Sequence, residues 1–183
     1  LDHSVYHAIL QTVSMATTTG FVTTEFHLWP AYLPMLLIFL SCVGGCGGST
    51  AGGIKAIRIM LVAKQGWREL QQLVHPNAVI PMKLKRRTLP NDVLSAVWSF
   101  IAIYGLTFMV LLMMLQATGL DFVSAYSATI ATLNNLGPAL GDLSANYASI
   151  AASSKWVLCL SMLLGRLEIF TLLVLLTPAF WRN

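Results

Sequence analysis

The chain has 183 residues, of which 56% are hydrophobic and only 10% charged, with a formal net charge of +4, and its mean hydropathy is +0.72. A water-soluble domain carries about 25% charged residues to solvate its surface, so a soluble globular domain is excluded. The apolar residues run in long blocks rather than amphipathic stripes, which is the membrane pattern.

In chain order, Leu1 is not a plausible natural start, and no signal peptide precedes the first apolar block. The chain therefore reads as a fragment of a longer protein or a truncated, inactive product. Ser4 reads as the N-cap of a short helix of about three turns, which ends in the small polar run Ala16-Thr17-Thr18-Thr19-Gly20-Phe21. Trp29 to Val43 is almost wholly apolar, and the pattern resumes at Ile54 to Ala63. Between them lies Gly44 to Gly53, with glycine at 44, 45, 47, 48, 52 and 53 and with Cys46, Ser49, Thr50 and Ala51 at the other four positions. Each glycine costs about 1 kcal/mol of helix propensity relative to alanine, so a helix breaks here. Backbone groups freed at membrane depth must line a polar path or be buried in protein.

Eight of the eleven Lys and Arg fall between 55 and 87: Lys55, Arg58, Lys64, Arg68, Lys83, Lys85, Arg86 and Arg87. The positive-inside rule puts this stretch in the cytoplasm. It also suits an acidic partner or anionic lipid headgroups. Val93 to Ala117 has no Lys, Arg, Asp or Glu and exceeds the ~20 helical residues that cross a bilayer core. Asp121 reads as the N-cap of a second short helix, which ends in Leu133-Asn134-Asn135-Leu136-Gly137-Pro138. Lys155 to Trp181 is apolar apart from Arg166 and Glu168. Trp29 and Trp156 fall at outer helix starts and Trp98 and Trp181 near inner ends, as an aromatic belt requires. The fold class expected is an all-α membrane protein built from helix–pore-loop–helix repeats.

An internal repeat carries the functional reading. Placing Ser4 over Asp121, an offset of 117 residues, superposes Thr12 on Thr129, Gly20 on Gly137 and Glu25 on Asp142. Each unit is a short helix, an extended run containing glycine, and then a membrane helix. Glycine lets such a run turn its carbonyls toward a common axis, and rings of carbonyls replace the hydration shell of a potassium ion. The negative C-terminal end of the short helix also favours a cation.

Other chemistry is weakly signalled. Lys55 after the glycines suggests a phosphate loop, but Ile54 and Ala56 break the required Gly-Lys-Ser/Thr ending. Close helix packing through small residues is a further reading of the glycine run. His3 and His7 are spaced to share a helix face, without a third ligand to complete a metal site. The odd count of three cysteines gives neither a disulfide framework nor a zinc pattern. No nucleophile, base and orienter recur at catalytic spacing, so no enzyme activity is expected. No nucleic-acid partner is expected either.

Thr17 to Phe21 and Asn134 to Pro138 resemble the third and fourth filter segments of the Trk/Ktr/HKT potassium transporters. Gly44 to Lys55 is similar to the family's third-repeat signature, and Gly165-Arg166-Leu167-Glu168-Ile169-Phe170 to its fourth-repeat counterpart. The combination looks closest to the bacterial TrkH branch, as the C-terminal half of such a transporter. The resemblance implies repeats three and four of a four-repeat pore: residues 1–74, a basic cytoplasmic linker 75–90, and residues 91–183, the third repeat lacking its first helix. It implies a filter at Thr18, Thr19, Gly20, Phe21, Asn135, Leu136, Gly137 and Pro138. It also implies a gate at Gly44, Gly45, Gly47, Gly48, Ser49, Thr50, Gly52 and Gly53, with Arg166 as a positive barrier beside it. Potassium would be the transported ion, with no covalent cofactor and nucleotide acting only through a partner. The partners implied are membrane lipid, a second copy in a homodimer, and a cytosolic TrkA-type nucleotide-binding subunit, in the bacterial inner membrane. A pore-less membrane assembly subunit and a membrane-embedded nucleotide-binding enzyme are the alternatives from other classes.

Overall fold

The structure is a computed structural model that describes residues 2–30, 32–49, 51–76, 78, 80–84, 87–88, 90–167, 169, 171, 174, 180 and 181. Among the described residues six continuous helices dominate: α1 (Asp2–Ala16), α2 (Tyr32–Val43), α3 (Ala56–Val74), α4 (Asn91–Ala117), α5 (Phe122–Leu133) and α6 (Ala152–Arg166). Short 3-10 turns lie at Phe26–Leu28 and Gly141–Leu143. The linker between α3 and α4 adds a two-stranded antiparallel ribbon, β1 (Lys83–Leu84) against β2 (Arg87–Thr88).

The long apolar block without charges becomes α4. It is the one described helix long and apolar enough to cross a membrane, over Asp92–Ala117. The first apolar span is broken as its glycines dictate, α2 ending at Val43 and α3 beginning at Ala56. The last apolar block is helical as α6 from Ala152 to Arg166; most of the chain after Leu167, Glu168 included, lies outside the described residues.

The two short helices begin differently. Asp121 caps α5 as expected, its Oδ2 accepting from the Val123 amide at 3.1 Å. Ser4 does not cap α1, because the helix already includes Asp2 and runs for 15 residues rather than about three turns. The residues before Ser4 accept helical geometry as readily as those after it, so the hydroxyl did not set the boundary.

At the centre lies α5, packed between α4 and α6, with every residue from Ser124 to Leu133 buried except Tyr126. Its small residues explain this. Between membrane helices the hydrophobic drive is weak, and close packing and hydrogen bonds hold the contact. Ala125, Ala128 and Ala131 let Leu112 and Leu115 of α4 and Leu158 of α6 approach. Hydroxyls tie the rest: Thr132 Oγ1 donates to Ser161 Oγ on α6 at 2.9 Å. The Leu140 amide donates to Ser127 Oγ at 2.9 Å, and the Asp142 amide to Ser124 Oγ at 3.0 Å. By contrast, α1 leaves Val5, Tyr6, Ile9 and Val13 exposed.

Candidate functional site

The site is built from the two runs that come after α1 and α5, and their backbones repeat. The Thr17 and Asn134 amides donate to Val13 O and Ile130 O, both at 2.9 Å. Thr18 and Asn135 donate to Met15 O and Thr132 O at 3.2 and 3.0 Å. Thr19 and Leu136 donate to Ser14 O and Ala131 O at 2.9 and 2.7 Å. Gly20 and Gly137 donate to those same two carbonyls at 3.5 and 3.3 Å. Every pair is separated by 117 residues, the offset read from the sequence. Left-handed angles recur at the same register: φ is 54° at Thr18 and 53° at Asn135, then 81° at Gly20 and 99° at Gly137. Thr12 and Thr129, one turn earlier, each donate to the carbonyl four residues back at 2.7 Å.

The two runs meet. A Cβ on Gly20 would collide with the Leu136 carbonyl oxygen, so only glycine permits this approach. Between the runs and the helices, Asn134 is fully buried and forms the centre of a polar cluster. Tyr104 of α4 donates its hydroxyl to Asn134 Oδ1 at 2.6 Å. Asn134 Nδ2 donates to Ser41 Oγ of α2 at 3.0 Å and lies 3.4 Å from Cys42 Sγ. One side chain thus links α4, α2 and the second run. Asn135 reaches the other way, Nδ2 donating to Met162 O of α6 at 3.3 Å. The C-terminal ends of the α1 and α5 dipoles give the place where the runs emerge a negative potential.

The glycine run folds directly against these segments. A Cβ on Gly52 would collide with the Asn134 carbonyl, and the Gly52 amide donates to Thr18 Oγ1 at 3.2 Å. Its other amide bonds stay within the loop and its flanks: Ile54 N to Cys42 O at 2.9 Å, Ala56 N to Gly45 O at 3.3 Å, and Ser49 N to Cys46 O at 2.9 Å. Those four amides are thus partnered within the chain. Gly165 of α6 closes on the opposite side, where a Cβ would collide with the Leu133 carbonyl oxygen.

Beside the loop is a cavity of about 80 Å³ whose lining includes Gly52, Lys55, Arg58, Tyr104 and Arg166. Arg58 stacks over the Phe100 ring with its guanidinium carbon 3.9 Å from the centroid, a favourable cation–π geometry. Arg166 shares the lining of this cavity with Gly52 and Gly53 of the loop.

All the filter and gate residues singled out from the sequence fall in this region except Thr50, which lies outside the described residues. Phe21 is exposed, whereas Leu136 is buried and contributes its backbone. The sequence reading missed the side chains that brace the runs: Ser14, Ser41, Tyr104, Asn134 as a cluster centre, and Tyr147. Isolated hydroxyls in apolar helices were the available signal, but nothing in their spacing pairs them. His3 and His7 stack with ring centroids 6.5 Å apart. Among the described residues no group of three or more His, Cys, Asp or Glu is placed to hold a metal ion.

Comparison with known proteins agrees with this arrangement. A family model described as "Cation transport protein", TrkH, matches residues 1–182. The chain is 56% identical over 176 residues to the Trk system potassium uptake protein TrkH of Vibrio parahaemolyticus, covering 96% of this chain and 36% of that protein. It is 53% identical over 180 residues to the TrkH of Escherichia coli (strain K12), covering 98% of this chain and 37% of the relative. The crystal structure of the potassium transporter TrkH from Vibrio parahaemolyticus superposes with a TM-score of 0.90, covering 96% of this chain and 38% of that one. The chain thus spans a little over a third of the length of these relatives. With the family model matching residues 1–182 and these relatives more than half identical, the chain belongs to the TrkH family of cation transport proteins.

Proposed function

We propose that this chain supplies two of the four repeats of a potassium uptake pore in the bacterial inner membrane. Residues 1–74 form the third repeat, 75–90 a cytoplasmic linker, and 91–183 the fourth. The observation that carries the reading is the backbone repetition at an offset of 117, hydrogen bond for hydrogen bond, around Gly20 and Gly137. Two like segments beside the carbonyl ends of two short helices are what a carbonyl-lined cation site needs. The exposed apolar face of α1, with a groove of about 450 Å³ lined by Tyr6, Ile9, Leu10 and Val13 among others, suits packing by the rest of such a pore.

The filter in this reading comprises Thr18, Thr19, Gly20 and Phe21 with Asn135, Leu136, Gly137 and Pro138. The gate is the loop Gly44 to Gly53, seated on Asn134 and Thr18, with Arg166 adding a positive barrier. The full-length protein pairs as a homodimer, and a cytosolic nucleotide-binding subunit of the TrkA type regulates it through the basic linker. The ion passes without chemical change, so the protein needs no cofactor of its own.

Replacement of Gly20 or Gly137 by Val in the full-length protein tests the filter. Each variant, expressed at normal level in cells lacking other potassium uptake, should abolish growth at low potassium or lose preference for potassium over sodium. Growth and selectivity unaffected by both would reject a filter here and favour an assembly subunit without a pore.

A further inference from the structure

The two filter segments repeat in backbone but not in what holds them. In the first, Ser14 of α1 donates its hydroxyl to the Phe21 carbonyl at 2.7 Å. The residue at the same register in the second repeat is Ala131, whose methyl group donates nothing. There, Tyr147 reaches in from the loop before α6 and donates its hydroxyl to the Gly137 carbonyl at 2.6 Å. The register position of Tyr147 in the first repeat is Pro30, which carries no donor at all. Each segment is thus tied by one hydroxyl, from the pore helix in one case and from the outer loop in the other.

The tie at Gly137 bears on an unusually free peptide unit. The next residue is Pro138, so this unit has no N–H, and its oxygen is its only hydrogen-bonding handle. Gly137 has φ of 99°, and a Cβ built there meets nothing within 4 Å, so no neighbour crowds its α-carbon. The Tyr147 ring, in contrast, is packed against the cluster containing Ala139, Leu143 and Leu158. Burial pushes its hydroxyl up to about 12, so the phenol keeps its proton at neutral pH and acts as a donor.

We propose that Tyr147 is a positioning residue for ion selectivity, its hydroxyl fixing the orientation of the Gly137 carbonyl and sharing that oxygen's lone-pair capacity. This rests on the filter reading of Gly137. Both effects act in one direction. An untethered carbonyl closes more readily around a small ion, and an oxygen without a donor presents a stronger field, and each favours sodium.

The test is Tyr147→Phe in the full-length transporter, with rubidium uptake measured against rising sodium and with Gly137→Val alongside. Phe keeps the ring in its packed site and removes only the donor. The preference for potassium over sodium should fall about 3- to 10-fold, the scale of one neutral hydrogen bond, while protein level stays normal. Ion-dependent heat stability of purified protein should show the same loss of discrimination, which gives a readout independent of transport. Altered selectivity in Gly137→Val with none in Tyr147→Phe overturns the role of Tyr147 and leaves the filter standing. No change in either variant overturns both.

Discussion

Gly52→Ala is expected to lift the glycine loop off the run that comes after α5. An alanine Cβ there would stand more than about 1 Å inside the 3.0 Å limit that real Cβ atoms keep, against the Asn134 carbonyl oxygen. The obstructing atoms are backbone, so no rotamer change relieves the clash and the loop itself must move. A shift of that size carries the Gly52 amide, now 3.2 Å from Thr18 Oγ1, out of hydrogen-bond range. Overpacking costs about 1–3 kcal/mol and loss of a neutral hydrogen bond about 0.5–1.5 kcal/mol. The seated position of the loop therefore loses about 1.5–4.5 kcal/mol, a shift of about 10- to 2,000-fold in the ratio of seated to displaced loop. Gly105→Ala, on α4 and outside the loop, is the internal control, since a Cβ there meets nothing within 4 Å. The assay is rubidium flux into proteoliposomes without the regulatory subunit, with the thermal midpoint measured on the same preparations. Gly52→Ala should raise basal flux and lower the midpoint, and Gly105→Ala should do neither. If the two variants behave alike in both readouts, the loop is not seated on Asn134 and the reasoning fails.

Two further outcomes are expected from the same geometry. Asn134→Leu leaves the buried Tyr104 hydroxyl without its acceptor and should destabilise by about 1–3 kcal/mol, while combining it with Tyr104→Phe removes the orphan. The double variant should then be more stable than the sum of the singles by about 1 kcal/mol in detergent unfolding; strictly additive losses would show that the pair is not coupled. Arg166→Ala removes a cation from the cavity beside the loop, and flux in the off state should rise in the full-length protein. Unchanged off-state flux would defeat its role as a barrier.

Much of this architecture was legible because it rests on residue types with strong backbone consequences. Six glycines in ten residues break a helix wherever they fall, and α2 and α3 part where the composition requires. The block without charges from Val93 to Ala117 has only one economical structure in a bilayer, and it is α4. The offset of 117 was readable because Gly20 and Gly137 are needed for backbone shape, and the same register reappears in the hydrogen bonds. The hidden contacts depend on side chains distant in sequence. Asn134 meets Ser41 across 93 residues and Tyr104 across 30, and neither distance has a period to betray it. Tyr147 lies in an irregular loop where nothing dictates its direction. The start of α1 escaped for another reason: Ser4 has the chemistry of a cap, but a cap residue does not oblige a helix to begin at it.

The two runs that come after α1 and α5 are not interchangeable parts. Exchanging Thr17-Thr18-Thr19-Gly20-Phe21 with Asn134-Asn135-Leu136-Gly137-Pro138 would retain both glycines and the left-handed positions of Thr18 and Asn135. It would nonetheless sever the contacts that hold each run. Asparagine visits that left-handed region readily, whereas a β-branched threonine is an outlier there, so Thr18 occupies a conformation better suited to its twin. What threonine supplies at that height is the hydroxyl that receives the Gly52 amide. A swapped chain would carry a more relaxed backbone at position 18 and no Tyr104-to-Asn134 link at position 134. Symmetry here belongs to the main chain alone, and the side chains give each copy a separate address within it.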